Sequence, residues 1–242
     1  MHGNIKAYYL STSENFNKNY IRVMKSTNKK EKGKFGSLLG KVLCGLSIIS
    51  AASCGNCTQP AAECNADASK AVIENIMARR SIRKYKQQPV SRDTMNIILE
   101  CGINAPNGQN KQSWEVRVVD NAATLDKIKE LMSEGREMNV GSCFRNAPVM
   151  TFIACDKGYD FSAYDCGLLS QNMMLSATSL GIGSICLGSP VRFIMDSPRK
   201  DDILSLLGFS EGYELCLCVG FGYPDETPAA KPRDWNKVKY VD

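Results

Sequence analysis

Histidine is all but missing from this chain of 242 residues: its one imidazole is His2. A Ser-His-Asp or Cys-His hydrolase and a His-ligated zinc enzyme each need an imidazole beside the reacting atoms, so those classes are excluded for everything past the N-terminus. An enzyme made from such a chain takes its reactive atoms from a cofactor. The apolar stretch 42–53 is only 12 residues long. At ~1.5 Å of helical rise per residue it falls short of a ~30 Å hydrocarbon layer, so a transmembrane helix is not expected there. A large excess charge is missing too, once the first residues are set aside. Residues 1–53 hold nine Lys/Arg against two Glu, which leaves 21 Lys/Arg against 23 Asp/Glu in the rest. That part is slightly acidic, and no nucleic-acid partner is expected. There is no Walker-type phosphate loop and no internal repeat. What remains is the composition of a globular protein, with 43% hydrophobic and 23% charged residues. One domain of ordinary size plus an extension accounts for it.

The N-terminal excess of positive charge has a specific layout. Lys25, Lys29, Lys30, Lys32 and Lys34 precede the apolar stretch, and small residues Ala51, Ala52 and Ser53 end it directly before Cys54. A basic region, a short apolar core and small residues make a secretory signal. The small residues before Cys54 resemble a bacterial lipoprotein cleavage site, so the chain is expected to be exported and held on the membrane, periplasmic or cell-surface side, by a lipidated Cys54. An ordinary cleaved signal, or an uncleaved segment on a cytoplasmic protein, are the alternatives. Met24 opens a more conventional signal length, which makes residues 1–23 an over-extended start. Residues 1–53 thus read as a targeting segment, 54–69 as a tether and 70–242 as the folded domain.

Of the eleven cysteines, Cys57 and Cys64 lie in the tether with no histidine or second cysteine pair to complete a metal site, so no metal is expected. Cys101, Cys143, Cys155, Cys166, Cys186, Cys216 and Cys218 lie mostly in apolar segments. They are expected to be buried free thiols, which suits a reducing setting.

Beyond residue 66 helices and strands alternate. Helices are expected at 71–78, at 91–103 with Ser91 as N-cap, at 126–132, at 164–180 and at 201–207, the last stopped by Gly208. Met95, Ile98, Leu99 and Gly102 mark the inner face of the second, and Leu168, Leu169, Asn172, Leu175, Ser176 and Ser179 that of the fourth. Strands are expected at 114–119, 149–154, 185–188 and 214–220. Gly181, Gly183 and Gly188 invite a dinucleotide-binding reading, but that fingerprint follows a strand and opens a helix, whereas here a helix precedes and a strand follows.

Three segments carry chemistry: Arg79-Arg80-Ser81-Ile82-Arg83-Lys84-Tyr85, then Pro106-Asn107-Gly108-Gln109-Asn110-Lys111-Gln112-Ser113-Trp114, then Lys231-Pro232-Arg233. Singly, each arginine reads as a solvated surface cation. Jointly, Arg79, Arg83, Lys231 and Arg233 suit a phosphate, because a guanidinium offers a planar fork of donors to an anion. Asn107 and Asn110 either meet the polar edge of a flat ligand or cap their own loop.

With the Leu180-Gly181-Ile182-Gly183 turn leading to Leu187-Gly188, the stretch Leu207-Gly208-Phe209 with Glu211-Gly212-Tyr213, and Gly222-Tyr223-Pro224, these segments resemble the FMN-dependent nitroreductase family over residues 70–242. The resemblance implies an α+β fold, with a central mixed, mainly antiparallel sheet flanked by helices. It also implies an intertwined homodimer with two FMN sites at the subunit interface. On this sequence, Arg79, Arg80, Ser81 and Arg83 would contact the phosphate, ribityl chain and pyrimidine edge of FMN. Pro106, Asn107, Gly108 and Asn110 would line the flavin from the other subunit, Leu187 and Gly188 would offer backbone groups near its reactive nitrogen, and Lys231 and Arg233 would close on the phosphate. Two positions depart from the pattern: Asn107-Gly108 stands where two small residues are common, and Ser113 where proline precedes the tryptophan.

The activity so implied passes hydride from NAD(P)H through flavin to an electron-poor acceptor, such as a nitroaromatic or quinone, in a ping-pong sequence. No side chain is expected as a nucleophile. A fixed cation at the pyrimidine end favours reduced flavin, Arg83 first and Arg80 second. Reductive dehalogenation or flavin fragmentation on the same fold, and a lipid-anchored binding protein without catalysis, are the other readings.

Overall fold

A computed structural model describes residues 61–137 and 140–241. The targeting segment, Cys54 and Cys57 lie outside the described residues. In chain order the elements are α1 (Ala61–Ala78), α2 (Arg92–Ile103), β1 (Trp114–Val119), α3 (Ala122–Ser133), β2 (Val149–Asp156), α4 (Ser162–Ser179), β3 (Gly183–Leu187), α5 (Ser189–Met195), α6 (Lys200–Leu207) and β4 (Tyr213–Gly222). The chain divides into two compact units.

The first unit holds α1, α2 and the second half of α4. Ser91 caps α2 as expected, its Oγ accepting from the Thr94 N–H at 3.2 Å. The buried face of α2 is Thr94, Met95, Ile97, Ile98 and Gly102, with Leu99 only half-buried. Two side-chain amides join the helices: Asn75 donates to the Leu175 carbonyl at 3.0 Å and Asn172 to that of Cys101 at 3.2 Å. Helix α1 begins inside the stretch read as a tether, because Ala61, Ala62, Ala66 and Ala68 favour helix even without an apolar stripe.

The second unit is built on an antiparallel sheet of four strands in the order β1-β2-β4-β3. Strand β2 lies inside and its residues Val149 to Cys155 are all buried, which explains its unbroken apolar run. Phe144, Met150, Phe152, Ile185, Leu187 and Cys218 form one core with Leu125, Ile128 and Met132 of α3, Ile194 of α5 and Ile203 of α6. Each large side chain fully buried there contributes about 1.5–3 kcal/mol. The α+β architecture, an antiparallel sheet flanked by helices, is as expected. Among the described residues its one parallel pairing is a single bridge, Ser81 to Ser184.

Four local expectations are corrected. Strand β3 starts at Gly183 rather than at residue 185, because Ile82 packs where a side chain would stand: a Cβ on Gly183 would lie 2.8 Å from Ile82 Cγ1. Helix α3 starts at Ala122, four residues early, since Asn121 Oδ1 accepts from the Thr124 N–H at 3.0 Å and nucleates the first turn. Helix α5, with proline in its first turn, had no periodic signal in seven residues. The inner face of α4 is Cys166, Leu169, Ser170, Met173 and Ala177, whereas Leu168 is 44% exposed. The polar residues of this helix gave no contrast by which to choose a face. Of the seven described thiols, none in a disulfide, Cys143, Cys155, Cys166 and Cys218 are buried, Cys101 and Cys216 half-buried, and Cys186 exposed. Cys186 is the one outward residue of β3. As expected, Gly208 ends α6 in the left-handed region, with φ of 63°.

Candidate functional site

The basic segment after α1 is held as an extra strand by backbone pairing within the second unit. On one side the Ile82 N–H donates to the Ser184 carbonyl at 3.0 Å. On the other, Lys86 N–H donates to the Tyr223 carbonyl and Asp225 N–H to that of Lys84, each at 2.9 Å. Glu226 fixes the turn by accepting from the backbone N–H groups of Arg83 and Lys84. Tyr85 turns inward and donates to the Ile82 carbonyl at 2.8 Å. Burial pushes its phenol well above the ordinary range; Glu226 adds to this and Arg83 opposes it.

With its backbone and Tyr85 so fixed, the segment leaves Arg83 and Lys84 outward. Arg83 is exposed and its guanidinium donates to the Ser81 carbonyl at 3.2 Å. Arg80 and Ser81 are half-buried. Lys231 and Arg233 are exposed, and Arg233 donates to the carbonyls of Lys231 and Pro232. Arg83, Lys231 and Arg233 take part in none of the ion pairs among the described residues. Lys231 follows the anchored Glu226 by five residues, a reach of at most ~18 Å. Leu187 ends β3 and is buried, while Gly188 is exposed, and a Cβ built on it meets nothing within 4 Å. Arg79 belongs to the first unit, where its N–H donates to the Asn75 carbonyl at 3.1 Å.

The second expected segment has its own anchor. Asp165, in the first turn of α4 and only 3% exposed, accepts from the Gly108 N–H at 3.0 Å and from the Ser113 hydroxyl at 2.8 Å. Ser162 ties the same loop by donating to the Ser113 carbonyl and accepting from the Asp156 N–H at 2.8 Å. Gln109, Asn110 and Gln112 take left-handed φ of 54°, 53° and 49°, a conformation uncommon outside glycine. Gly108 leaves room for the Tyr159 hydroxyl, which a Cβ there would meet at 2.0 Å; the Tyr159 ring also carries Lys111 Nζ at 4.2 Å from its centre. Asn107 Oδ1 accepts from the Gln112 N–H at 2.9 Å, so its oxygen serves the loop. Its amide N–H groups make none of the described hydrogen bonds. Pro106 and Asn110 are exposed.

The sequence thus delivers two half-sites. The cationic segment is bound to β3 and to residues 223–226; the amide loop is bound to residues 156–165. A cleft of about 630 Å³ in this unit, lined by Gln87, Asp120, Asp126, Lys129 and Asn146 among others, contains none of the expected residues. Asp165, Tyr159 and Glu226 were missed by sequence reasoning. A carboxylate just ahead of the run Cys166-Gly167-Leu168-Leu169 was the available signal for Asp165, since a charge entering a buried helix needs donors to satisfy it. The donor set fits a phosphorylated, flat, polar-edged ligand: Arg83, Lys231 and Arg233 outside the ion pairs among the described residues, amide donors on a braced loop, and open backbone at Gly188.

Comparison with known proteins agrees. Residues 76–223 match the sequence pattern of the Nitroreductase family. An NADPH-flavin oxidoreductase of Vibrio harveyi is 30% identical over 178 residues, which cover 66% of this chain and 69% of that protein. A nitroreductase of Desulfitobacterium hafniense DCB-2, solved with bound FMN, superposes with a TM-score of 0.64 at 30% identity, covering 71% of this chain and 98% of that one. A nitroreductase of Bacteroides fragilis NCTC 9343, also solved with FMN, gives 0.62 at 28% identity, with coverage of 71% and 98%.

Proposed function

The chain belongs to the nitroreductase family, and from that premise we propose that it is an FMN-dependent NAD(P)H oxidoreductase that works as a homodimer. The observation that carries this reading is the basic segment paired between Ser184 and residues 223–225, with Arg83 outside every ion pair among the described residues. When bound, FMN supplies the two-electron chemistry, accepting hydride from NAD(P)H and passing it to an electron-poor acceptor such as a nitroaromatic or quinone.

The chain's residues bind, orient and tune. Lys231 and Arg233 neutralise the phosphate and the Ser81 hydroxyl donates to it, which leaves the guanidiniums of the basic segment for the ring. A guanidinium toward the pyrimidine edge, Arg83 first and Arg80 second, stabilises the negative charge of the reduced cofactor. The amide N–H groups of Asn107 and Asn110, on the loop braced by Asp165, address the polar edge. Gly188 leaves room for a flat ring to approach backbone.

Dimer formation is supported by two half-sites that are each anchored separately, and by apolar groups left outward: Tyr164 is 70% exposed and Trp235 79%. In the dimer the amide loop of one subunit completes the cationic segment of the other. Export with a lipid on Cys54 belongs to the same proposal, and mass spectrometry of the membrane-extracted protein tests it. An exported enzyme would draw its electrons where NAD(P)H is scarce, so a partner protein is then the donor to look for. Steady-state kinetics at varied NAD(P)H and acceptor test the shared, alternating site: parallel double-reciprocal lines are expected, and intersecting lines would overturn it.

A further inference from the structure

Three cysteines that the flavin reading does not use meet in the second unit: Cys155 near the end of β2, Cys166 in the first turns of α4 and Cys216 in β4. The strands explain the meeting. Ile153 pairs with Leu217 and Ala154 with Leu215, so Cys216 is the extra residue of a β-bulge, released from the ladder. Cys155 pairs across to Glu214, and its Sγ lies 4.0 Å from Glu214 Oε1. Cys166 is fully buried and donates to the Ala154 carbonyl at 3.6 Å, which sets its sulfur beside the bulge. Cys216 follows Leu215, the partner of Ala154, so the bulge places it next to the strand segment that carries Cys155 and to the carbonyl that Cys166 binds; it is the only one of the three that is half-exposed. Among the described residues no group of three or more His, Cys, Asp or Glu is arranged to hold a metal ion, so the cluster is not a preformed thiolate metal site.

We propose that Cys216 is a site of oxidation by hydroperoxides, which closes a reversible disulfide with Cys166 or Cys155. The Cys216 thiolate attacks one peroxide oxygen, the O–O bond breaks, hydroxide (or the alkoxide of an organic peroxide) leaves, and a sulfenic acid forms. A neighbouring thiol then attacks that sulfur; the S–S bond forms and the oxygen leaves as water, with the thiol proton. Two thiols are oxidised and one peroxide is reduced.

Electrostatics agree with the geometry. Hydrogen bonds from Cys166 and then Cys155 outweigh burial and lower the Cys216 thiol to about 7. Burial raises Cys155 to about 11, with Cys216 and Glu214 adding. The bond to Cys216, with burial, raises Cys166 further. A thiol lowered in this way holds more of the reactive thiolate at neutral pH than an ordinary one.

The test is peptide mapping of the full chain, fully reduced, treated with hydrogen peroxide, alkylated and digested with trypsin and chymotrypsin. Chymotrypsin separates Cys216 from Cys218 after Leu217, and Cys166 from Cys186 after Leu168. The expected product links Cys216 to Cys166 or Cys155, disappears with dithiothreitol, and is unchanged in Cys186→Ser. In Cys216→Ser, Cys155 and Cys166 stay alkylatable. Recovery of Cys216 as freely alkylated as before treatment, or disulfides that exclude it, would overturn the proposal. Should Cys216→Ser fail to fold, the map of the unsubstituted chain decides alone.

Discussion

Asp165 is the residue on which the amide loop rests, and its removal has a calculable cost. It accepts from the Gly108 N–H at 3.0 Å and the Ser113 hydroxyl at 2.8 Å, at 3% exposure. Asp165→Ala leaves both donors without that acceptor, the Ser113 hydroxyl in a buried place and the Gly108 N–H in a part-buried one. At about 1–3 kcal/mol for each stranded donor, the loss is about 2–6 kcal/mol. Asp165→Asn keeps the shape and one acceptor, and Ser113 can rotate its hydroxyl to accept from the new amide. Only the charge assistance goes, at a cost of about 1 kcal/mol. The assay is a double-mutant cycle of Asp165→Ala with Ser113→Ala, read by urea unfolding of the full chain. Ser113→Ala removes one of the two donors, so the double variant is expected to be more stable than the sum of the single losses predicts, by about 1–2 kcal/mol. Flavin titration of Asp165→Asn is expected to give weaker FMN binding, with an unfolding midpoint that falls far less than that of Asp165→Ala. Additive losses in the cycle would refute the strut. So would Asp165→Ala unfolding like the unsubstituted protein.

The other predictions use different contacts. Gly108→Ala drives a methyl against the Tyr159 hydroxyl; it is expected to displace the loop at about 1–3 kcal/mol and lower FMN retention, with partial recovery when Tyr159 is shortened to Leu, as flavin fluorescence would record. Arg83→Gln removes a cation that no carboxylate among the described ion pairs engages, so FMN affinity is expected to fall about tenfold or more while stability holds; Arg83→Lys, which keeps charge without the fork, is expected to fall less in the same titration. Glu115 is drawn up by burial but more strongly down by bonds from Ser210 and Arg117, so its folded carboxyl lies below the ordinary value. Its stabilising effect is therefore full above the unfolded carboxyl range near pH 4.5 and is lost as pH falls through the lower folded value; unfolding measured from pH 7 to pH 3 is expected to show a drop in acid that Glu115→Gln flattens.

Strands were legible where a short apolar run has no helical rival. Residues 114–119 and the buried run at 149–154 were read almost to the residue because β-branched and aromatic side chains crowd there. Strand β3 was cut short because Gly183 and Ser184 have poor strand propensity. Only the approach of Ile82, a contact about 100 residues away in sequence, explains why glycine stands there. The helix α4 face was misjudged because its serines and leucines are spread all round it. The cationic and amide segments were legible as chemistry, since clustered arginines and an Asn-rich loop are rare without purpose. What braces them was not: Asp165, Glu226 and Tyr159 act through distant pairings that no local pattern encodes.

The most direct test of the whole account is the visible spectrum of the purified full chain, before and after anaerobic addition of NADH or NADPH. The account predicts flavin bands, present on purification or after addition of FMN, that bleach when the donor is added and return with a quinone or nitroaromatic acceptor. A colourless protein that takes up no FMN would contradict it.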